Sequence, residues 1–297
     1  MIVSKRKNDI VFNIVNYAFF GAFTLLCVIP FYYLFINTIS DNDLVKRGLI
    51  KFIPSGIHLN NYLEVFKLRG LGNAAFISLS RTLIGTFLTV LSSAFVGYLV
   101  TKDKMWGRKF WYRYIIITMY FSAGLIPWYM NMVMLHLNEN FLAYILPRMI
   151  APFSIILVKT YIESIPPSLE ESASIDGAGT ITIFLRIMLP LIKPILATIA
   201  LFAAVEHWNS FMDTLFLMTD ERLFTLQFVL WRYLNEANYL AMIMRSGTTV
   251  AAAASQALTP RTIQMTISMV VVFPILCTYP FLQRFFIKGI MVGAIKG

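Results

Sequence analysis

The sequence predicts an all-α integral membrane protein with six transmembrane helices. Of its 297 residues, 58% are hydrophobic and 13% are charged, whereas soluble domains are about 45–50% apolar and about 25% charged. Its mean hydropathy is +0.70. A membrane-crossing helix needs about 20 mostly apolar residues, because only a closed helix satisfies its backbone polar groups in hydrocarbon. The stretches that qualify are approximately Ile14–Ile36, Phe76–Val100, Tyr114–Leu135, Phe141–Ile162, Ile195–Met218 and Ile263–Phe286.

The first apolar stretch follows three basic residues, Lys5, Arg6 and Lys7, as the apolar part of a secretory signal would. It is too long for such a signal, and no small-residue cleavage site follows Pro30. We therefore expect a retained first helix.

The basic residues predict the orientation of the chain. With a cytoplasmic N-terminus, the inner segments hold 13 Lys and Arg and the outer segments hold 9. Cytoplasmic loops of membrane proteins collect these residues, so both termini are expected in the cytoplasm. The net charge of +10 has the same explanation. No nucleic-acid partner is expected, because no basic run carries a recognition motif.

The chain is expected to form a single transmembrane domain, residues 1–297, with two long outer connections. Residues 37–75 read as a loop with short structured pieces. Residues 219–262 form an extracytoplasmic loop that includes an amphipathic stretch, Phe224–Leu240. The connection 163–194 lies on the cytoplasmic side in this topology.

The cytoplasmic segment contains the signals of a short separate helix. Pro166 and Pro167 end the helix before it. Ser168 followed by Glu171 fits a capping box, small residues come next, and Gly177 is placed to stop the helix. On the residues alone, a plain interfacial helix is an equally good interpretation.

The same segment resembles the EAA loop of ATP-binding-cassette (ABC) importer permeases. The resemblance rests on Glu171-Ser-Ala-Ser-Ile-Asp-Gly177 and on Ile187-Met-Leu-Pro190 downstream. Ser172 stands where this family usually has alanine, which exchanges one small side chain for another.

Three further matches resemble the carbohydrate importers in this family. They are Ile175-Asp-Gly-Ala178, Trp208-Asn-x-Phe211 and the ending Tyr279–Gly297, although Asp213 and Thr214 stand where a proline is common. These features are similar to the permease of the maltose importer and to the oligosaccharide and polysaccharide branch. A permease for the acidic glycan alginate is compatible with that branch.

The resemblance implies a type I ABC importer permease fold with a core over residues 71–287. It implies a bacterial cytoplasmic membrane protein that pairs with a sister permease as a heterodimer, and with two ATPase subunits and an extracytoplasmic solute-binding protein. The chain has no phosphate-binding loop. We therefore expect no catalytic site, metal or cofactor in this chain, and ATP and Mg in the partner ATPase subunits.

The short cytoplasmic helix is, by this resemblance, the element that docks into the ATPase subunit. The residues expected to couple the two subunits are Glu170, Glu171, Ser172, Ala173, Ile175, Asp176 and Gly177.

Polar residues inside the apolar stretches are candidates for the substrate path, since such groups usually face protein or a water-filled cavity. The candidates are Glu206, Trp208 and Asn209. The alternative is that these side chains hold helices together. Arg81 and Arg148 are expected to pair with acidic residues at membrane depth or to extend toward a membrane interface. For Lys159, extension toward an interface is favoured.

The outer loop supplies the candidate contacts with the binding protein, again by resemblance: Arg222, Arg232, Tyr239 and Arg245. The slightly positive outer face suits an acidic glycan. Attraction of these basic residues to lipid headgroups is the simpler explanation.

Three other classes compete with this interpretation. An ion-coupled secondary transporter needs carboxylates at the membrane midplane and repeated halves, but only Glu206 and Asp213 qualify and no repeat is visible. An intramembrane enzyme is disfavoured because the three histidines of this chain are scattered singly along the sequence. An importer permease for a different solute, such as a peptide, is disfavoured by resemblance alone.

Overall fold

The structure is a computed structural model that describes residues 7–245 and 261–294. All regular elements in these two ranges are helices and turns, with no β-strand. The predicted all-α class is thereby confirmed. The chain divides into two compact units, one formed by Met1–Leu68 and Tyr233–Val272 and the other by Arg69–Arg232 and Phe273–Gly297.

The first unit begins with a long apolar helix, α1 (Lys7–Thr38). Only 6% of its most apolar window is buried, as expected for a helix that is apolar all round and faces lipid or another subunit. The predicted outer loop that follows contains two short helices, α2 (Asn42–Lys46) and α3 (Asn60–Lys67). Ile36, at the end of α1, packs with Val45 of α2 in a small buried cluster.

The second unit is built around one helix, α4, against which α10 and then α7 pack most extensively. Its helices are α4 (Leu71–Leu99), α5 (Arg108–Tyr120), α6 (Leu125–Met134), α7 (Pro152–Glu163), α8 (Ser168–Ile175), α9 (Thr180–Leu191), α10 (Lys193–Asn209) and α11 (Met212–Leu217). Two 3-10 turns, Phe141–Tyr144 and Leu146–Arg148, precede α7. Two more helices, α12 (Leu226–Arg245) and α13 (Arg261–Ala294), have residues in both units.

The predicted spans correspond to helical structure of several kinds. In the described ranges, three helices are long and apolar enough to cross a membrane: Asp9–Thr38, Leu71–Leu99 and Arg261–Thr278. Two further candidates are bent pairs, Phe141–Arg148 with Pro152–Glu163 at 44° and Thr180–Leu191 with Lys193–Asn209 at 80°. The predicted fourth span is therefore broken rather than straight, and the second pair bends at Ile192, before the predicted fifth span begins.

The predicted third span, Tyr114–Leu135, is two helices rather than one. The helix α5 ends at Tyr120, and α6 begins after Gly124, whose φ is +88°. Pro127 lies in the first turn of α6, where its ring would clash with the carbonyl of Ala123 in a continuous helix. The break follows from these two residues, which a count of apolar positions does not weigh.

The predicted fifth span, Ile195–Met218, also ends early. The helix α10 stops at Asn209, and Ser210 has extended backbone before α11 begins. The Ser210 carbonyl accepts a hydrogen bond from Arg81 at 3.1 Å, so it is engaged outside the helix. The 80° bend before α10 lies between Pro190 and Pro194, each of which interrupts helical hydrogen bonding.

Candidate functional site

The short helix predicted in the cytoplasmic segment is present as α8. Its first residue is Ser168, and Pro167 occupies the capping position, where its carbonyl accepts from the backbone N–H of Glu171 at 3.1 Å. The expected capping box is therefore wrong, because a capping side chain must stand one residue before the helix. The rigid backbone of Pro167 starts the helix instead, and the early Glu170 and Glu171 favour the positive end of its dipole.

The predicted stop at Gly177 is confirmed. Gly177 has a φ of +84°, a conformation that costs side-chain-bearing residues about 1–2 kcal/mol. Its N–H donates to the Ser174 carbonyl at 3.1 Å, and the N–H of Ala178 donates to the Ala173 carbonyl at 3.0 Å. This pair of bonds is a Schellman motif, which satisfies the last carbonyls of the helix.

One face of α8 is fastened to the rest of the second unit. Glu170 forms an ion pair with Lys102, which follows α4, and both side chains are about one-fifth exposed. The Lys102 ammonium also lies 4.2 Å from the centroid of the Tyr98 ring. Ala173 packs against the buried cluster around Tyr98. The helix is thus linked directly to the end of the central helix α4.

The opposite face of α8 is open. Glu171, Ser172 and Asp176 are exposed, and Ile175 is 85% exposed. The helix α8 therefore holds a large apolar side chain outward, with carboxylates beside it.

A buried ion pair organises the opposite part of the second unit. Arg81 of α4 pairs with Asp213 of α11, and the Arg81 side chain is completely buried. Arg81 Cζ also lies 4.6 Å from the centroid of the Tyr144 ring. A buried charge is tolerated only when it is paired and hydrogen-bonded. These contacts confirm that Arg81 pairs with an acid.

A second arginine extends this network toward the surface. Arg148 Nη1 donates to Glu206 Oε1 at 2.5 Å, and Nη2 donates to Ser210 Oγ at 3.1 Å. Arg148 Nε lies 3.8 Å from Asp213 Oδ2. Two arginines therefore share Asp213, and Glu206 balances the second of them. Lys159, by contrast, pairs with Glu163 one turn away at 2.6 Å.

A cavity of about 710 Å³ opens beside this network. Its size lies within the range of small-molecule sites, about 300–1,000 Å³. The lining residues are Arg148, Leu201, Phe202, Val205, Glu206, Asn209, Ser210, Phe211 and Met212. Two of the three predicted path residues, Glu206 and Asn209, line it, whereas the half-buried Trp208 does not.

The aromatic side chains that line the cavity are Phe202 and Phe211 rather than Trp208. The Phe211 ring stacks on Trp231, with centroids 5.8 Å apart and planes at 23°. Trp231 stacks in turn on Phe228, at 5.8 Å and 18°. Phe211 is therefore a wall residue held in a fixed orientation from behind.

The start of the predicted outer loop is pinned by side chains from distant parts of the chain. The Glu139 carboxylate accepts from Thr219 N at 2.6 Å, Thr219 Oγ1 at 2.5 Å and Asp220 N at 3.1 Å. These hydrogen bonds, that of the Thr219 hydroxyl first, hold the pKa of Glu139 below its ordinary value. Glu139 also has a φ of +52°. This left-handed backbone conformation is uncommon for a residue with a side chain.

The four predicted contact residues of the outer loop differ in their surroundings. Arg222 is exposed and donates to Asp220, which lowers the pKa of that carboxyl. Arg232 lies 3.8 Å from Glu221 and over the Phe224 ring. Tyr239 and Arg245 lie on α12, and their side chains are outside the part of the structure that is described.

Comparison with known proteins identifies the family. Residues 2–290 match the family described as binding-protein-dependent transport system inner membrane component. The chain belongs to this family. The permease is 34% identical over 293 residues to Protein LplC of Bacillus subtilis (strain 168), covering 97% of this chain and 95% of that protein.

Two further matches extend across nearly the full length of the permease. It is 32% identical over 289 residues to the polygalacturonan/rhamnogalacturonan transport system permease protein YtcP of Bacillus subtilis (strain 168), covering 96% of this chain and 98% of that one. It also matches a chain in the crystal structure of a bacterial ABC transporter involved in the import of the acidic polysaccharide alginate. That match has a TM-score of 0.82 and 28% identity, and covers 96% of the permease and 100% of the other chain. The predicted importer-permease fold is confirmed.

Several residues of the permease gain importance only from the structure. The sequence predicts no site role for Lys102, Glu139 or Phe211, although Phe211 belongs to the match Trp208-Asn-x-Phe211. The sequence places Asp213 as an acid at membrane depth, and such acids signal a partner. Neither Lys102 nor Glu139 carries such a signal, because each lies in a polar connection where charged residues are ordinary.

Proposed function

We propose that the permease is the membrane subunit of an ATP-driven importer that moves an oligosaccharide or polysaccharide from a solute-binding protein across the cytoplasmic membrane. Its family supports the transport role. Relatives named for polygalacturonan/rhamnogalacturonan, for arabinooligosaccharides and for melibiose, raffinose and stachyose support a carbohydrate cargo. The observation that carries the coupling mechanism is α8, fastened on one face and exposed on the other.

In this mechanism, α8 inserts into a partner ATPase subunit through Glu171, Ser172 and Ile175. ATP and Mg bind to the ATPase subunits. Closure of those subunits pushes α8, and the ion pair between Glu170 and Lys102 passes the movement to α4. A sister permease completes the pathway as a heterodimer, and both termini lie in the cytoplasm. The basic residues of the inner segments support this orientation.

The cavity beside Arg148 is the part of the substrate path that this subunit contributes. It combines apolar walls with a few polar side chains, as ligand sites do. The exposed Arg222 and the partly exposed Arg232 stand at the base of the outer loop and are the proposed contacts with the binding protein, together with Tyr239 and Arg245.

The coupling role is tested with bulky substitutions on α8 in the complete transporter. Glu171→Leu and Gly177→Leu should abolish uptake and the ATPase activity stimulated by the binding protein, because the first alters the docking face and the second strains the helix end. Thr182→Leu, exposed just outside α8, is the matched control. Normal uptake and normal ATPase activity in both α8 variants would refute the assignment.

A further inference from the structure

The cavity lined by Arg148, Glu206, Asn209 and Phe211 has features that select among carbohydrates. Sugars differ in whether they carry a carboxylate, and all of them present hydroxyl groups around an apolar ring face. A site that recognises them needs an aromatic wall and planar polar groups that can form paired hydrogen bonds. The charge balance of the polar groups decides which sugars they favour.

The cationic charge at this cavity is already matched. The Arg148 guanidinium is engaged by Glu206 at 2.5 Å, by Ser210 at 3.1 Å and by Asp213 at 3.8 Å. Arg81, the other cation of the network, is completely buried against Asp213. The two arginines and two carboxylates sum to zero charge.

The charged group that faces the open side of the cavity most is a carboxylate. The Glu206 side chain is 63% exposed, whereas that of Arg148 is 31% exposed. An acidic sugar entering here meets like charge first, and must displace Glu206 before it can bind Arg148. A neutral sugar meets an acceptor for its hydroxyls in Glu206 and a donor and acceptor in the exposed amide of Asn209.

The aromatic side chain of Phe211 is the remaining feature that a sugar-binding site needs. Phe211 lines the cavity and is held from behind by the stack on Trp231, so little conformational entropy is lost when a sugar ring packs against it. We propose that this cavity is a subsite for an uncharged sugar unit, with Phe211 packing on the ring, Glu206 and Asn209 binding its hydroxyls, and Glu206 disfavouring uronate units.

This inference rests on the proposed function, and it selects a substrate class by the charges of this chain's own cavity. It does not assume that this chain shares the acidic substrate named for the structure of the alginate importer. The probes are radiolabelled neutral trisaccharides of glucose, galactose and arabinose, and the uronate trisaccharides of galacturonate and mannuronate. They are assayed with the complete transporter and its binding protein in proteoliposomes.

Wild-type transporter should take up a neutral trisaccharide in preference to the uronates. Phe211→Ala should lower that uptake about tenfold, and Phe211→Tyr should retain it within about twofold, because tyrosine keeps the ring face. Phe87→Ala, which removes an exposed aromatic side chain of α4 outside this cavity, is the matched control. Glu206→Gln removes the carboxylate that repels a uronate and leaves Arg148 with one acidic partner fewer, so it should shift the ratio of neutral to uronate uptake toward the uronates about tenfold.

Copurification of the partner subunits verifies that each variant assembles. Preferential uptake of a uronate by the wild type overturns the inference and leaves the proposed function intact. Uptake of a neutral sugar that is unchanged in both Phe211→Ala and Glu206→Gln also overturns it alone. Uptake of no carbohydrate, with ATPase activity intact, overturns the proposed carbohydrate function and the subsite together.

Discussion

Arg81 and Asp213 form an ion pair between α4 and α11, with none of the arginine side chain and 3% of the aspartate side chain exposed. They are 132 positions apart in the sequence. The pair also fixes the Ser210 carbonyl, which accepts from Arg81 at 3.1 Å. One buried interaction therefore sets the place where the fifth apolar stretch leaves its helix, and positions the second arginine, Arg148, at the cavity.

Loss of either partner of the buried pair should destabilise the permease strongly. Arg81→Met leaves Asp213 with one of its two arginine partners. Asp213→Leu leaves Arg81 buried without a counter-ion. Each should cost about 3–5 kcal/mol, measured as a lowered midpoint of thermal unfolding in detergent. Lys46→Met, which removes an exposed pair at 4.0 Å from Asp43, should change stability by at most about 0.5 kcal/mol.

The double variant Arg81→Met with Asp213→Leu gives the sharper result. Replacing both charges with apolar side chains removes the unpaired charge, so the double variant should be more stable than Asp213→Leu alone. Additive losses in the double variant would show that the two side chains do not act as a pair.

The close approach of α4 and α10 depends on a glycine. A Cβ added at Gly85 would lie 2.5–2.8 Å from three atoms of the buried His207 ring. Gly85→Ala should therefore force the helices apart and cost about 1–3 kcal/mol of stability. Gly72→Ala is the control in the same helix, because a Cβ there meets nothing within 4 Å. Its unfolding midpoint should stay unchanged or rise. Equal midpoints for the two alanine variants would contradict the packing argument.

The parts of this fold that were predictable from sequence are those with local signals. The short helix α8 was located because Pro167 and Gly177 act on the backbone beside them, by fixed φ and by left-handed conformation. The long apolar stretches were found because the bilayer sets the length of a spanning helix. Pro127 carried a local signal too, and the break between α5 and α6 follows from it.

The candidate site was less predictable because its contacts are not local. No proline marks the end of α10, where the hydrogen bond from Arg81 to Ser210 draws the backbone away. Glu206 and Asn209 were recognised as polar residues in an apolar stretch, but Phe211 is one of 25 phenylalanines. Its place in the match Trp208-Asn-x-Phe211 does not reveal the stack on Trp231. Likewise, the pairing of Lys102 with Glu170 joins positions 68 residues apart.

The hydrogen bonds that Glu139 accepts from Thr219 and Asp220 should make part of the stability of the permease depend on pH. Hydrogen bonds hold the folded pKa of Glu139 below the ordinary value of 4.5. Its contribution is therefore complete above the unfolded pKa, and is lost as pH falls through the lower folded pKa. The wild type should exceed Glu139→Gln in unfolding midpoint near neutral pH, and the difference should shrink as the pH falls below about 4.5.

The matched control for Glu139→Gln is Glu64→Gln, which changes an exposed carboxylate of α3. Its difference from the wild type should be small at every pH. A gap between wild type and Glu139→Gln that stays constant from neutral to acidic pH would show that the carboxylate charge is not what binds Thr219 and Asp220.

The ion pair between Lys102 and Glu170 should determine how tightly ATP hydrolysis is coupled to uptake. It is the charged link between α8 and the end of α4, and both side chains are mostly shielded from water. Lys102→Glu places like charges together and should raise the ATP consumed per sugar imported by about tenfold, since a few kcal/mol of attraction become repulsion. Glu170→Lys should have the same effect. Combining the two substitutions restores an opposite pair, and should bring the ratio back to within about threefold of wild type.

Lys104→Glu makes the same charge change at an exposed lysine two residues away, and should leave the ratio unchanged. Because Glu170 lies on the fastened face of α8, the single variants should still copurify with the ATPase. A charge-exchanged double variant that remains as uncoupled as the single variants would show that the pair does not transmit the movement of α8.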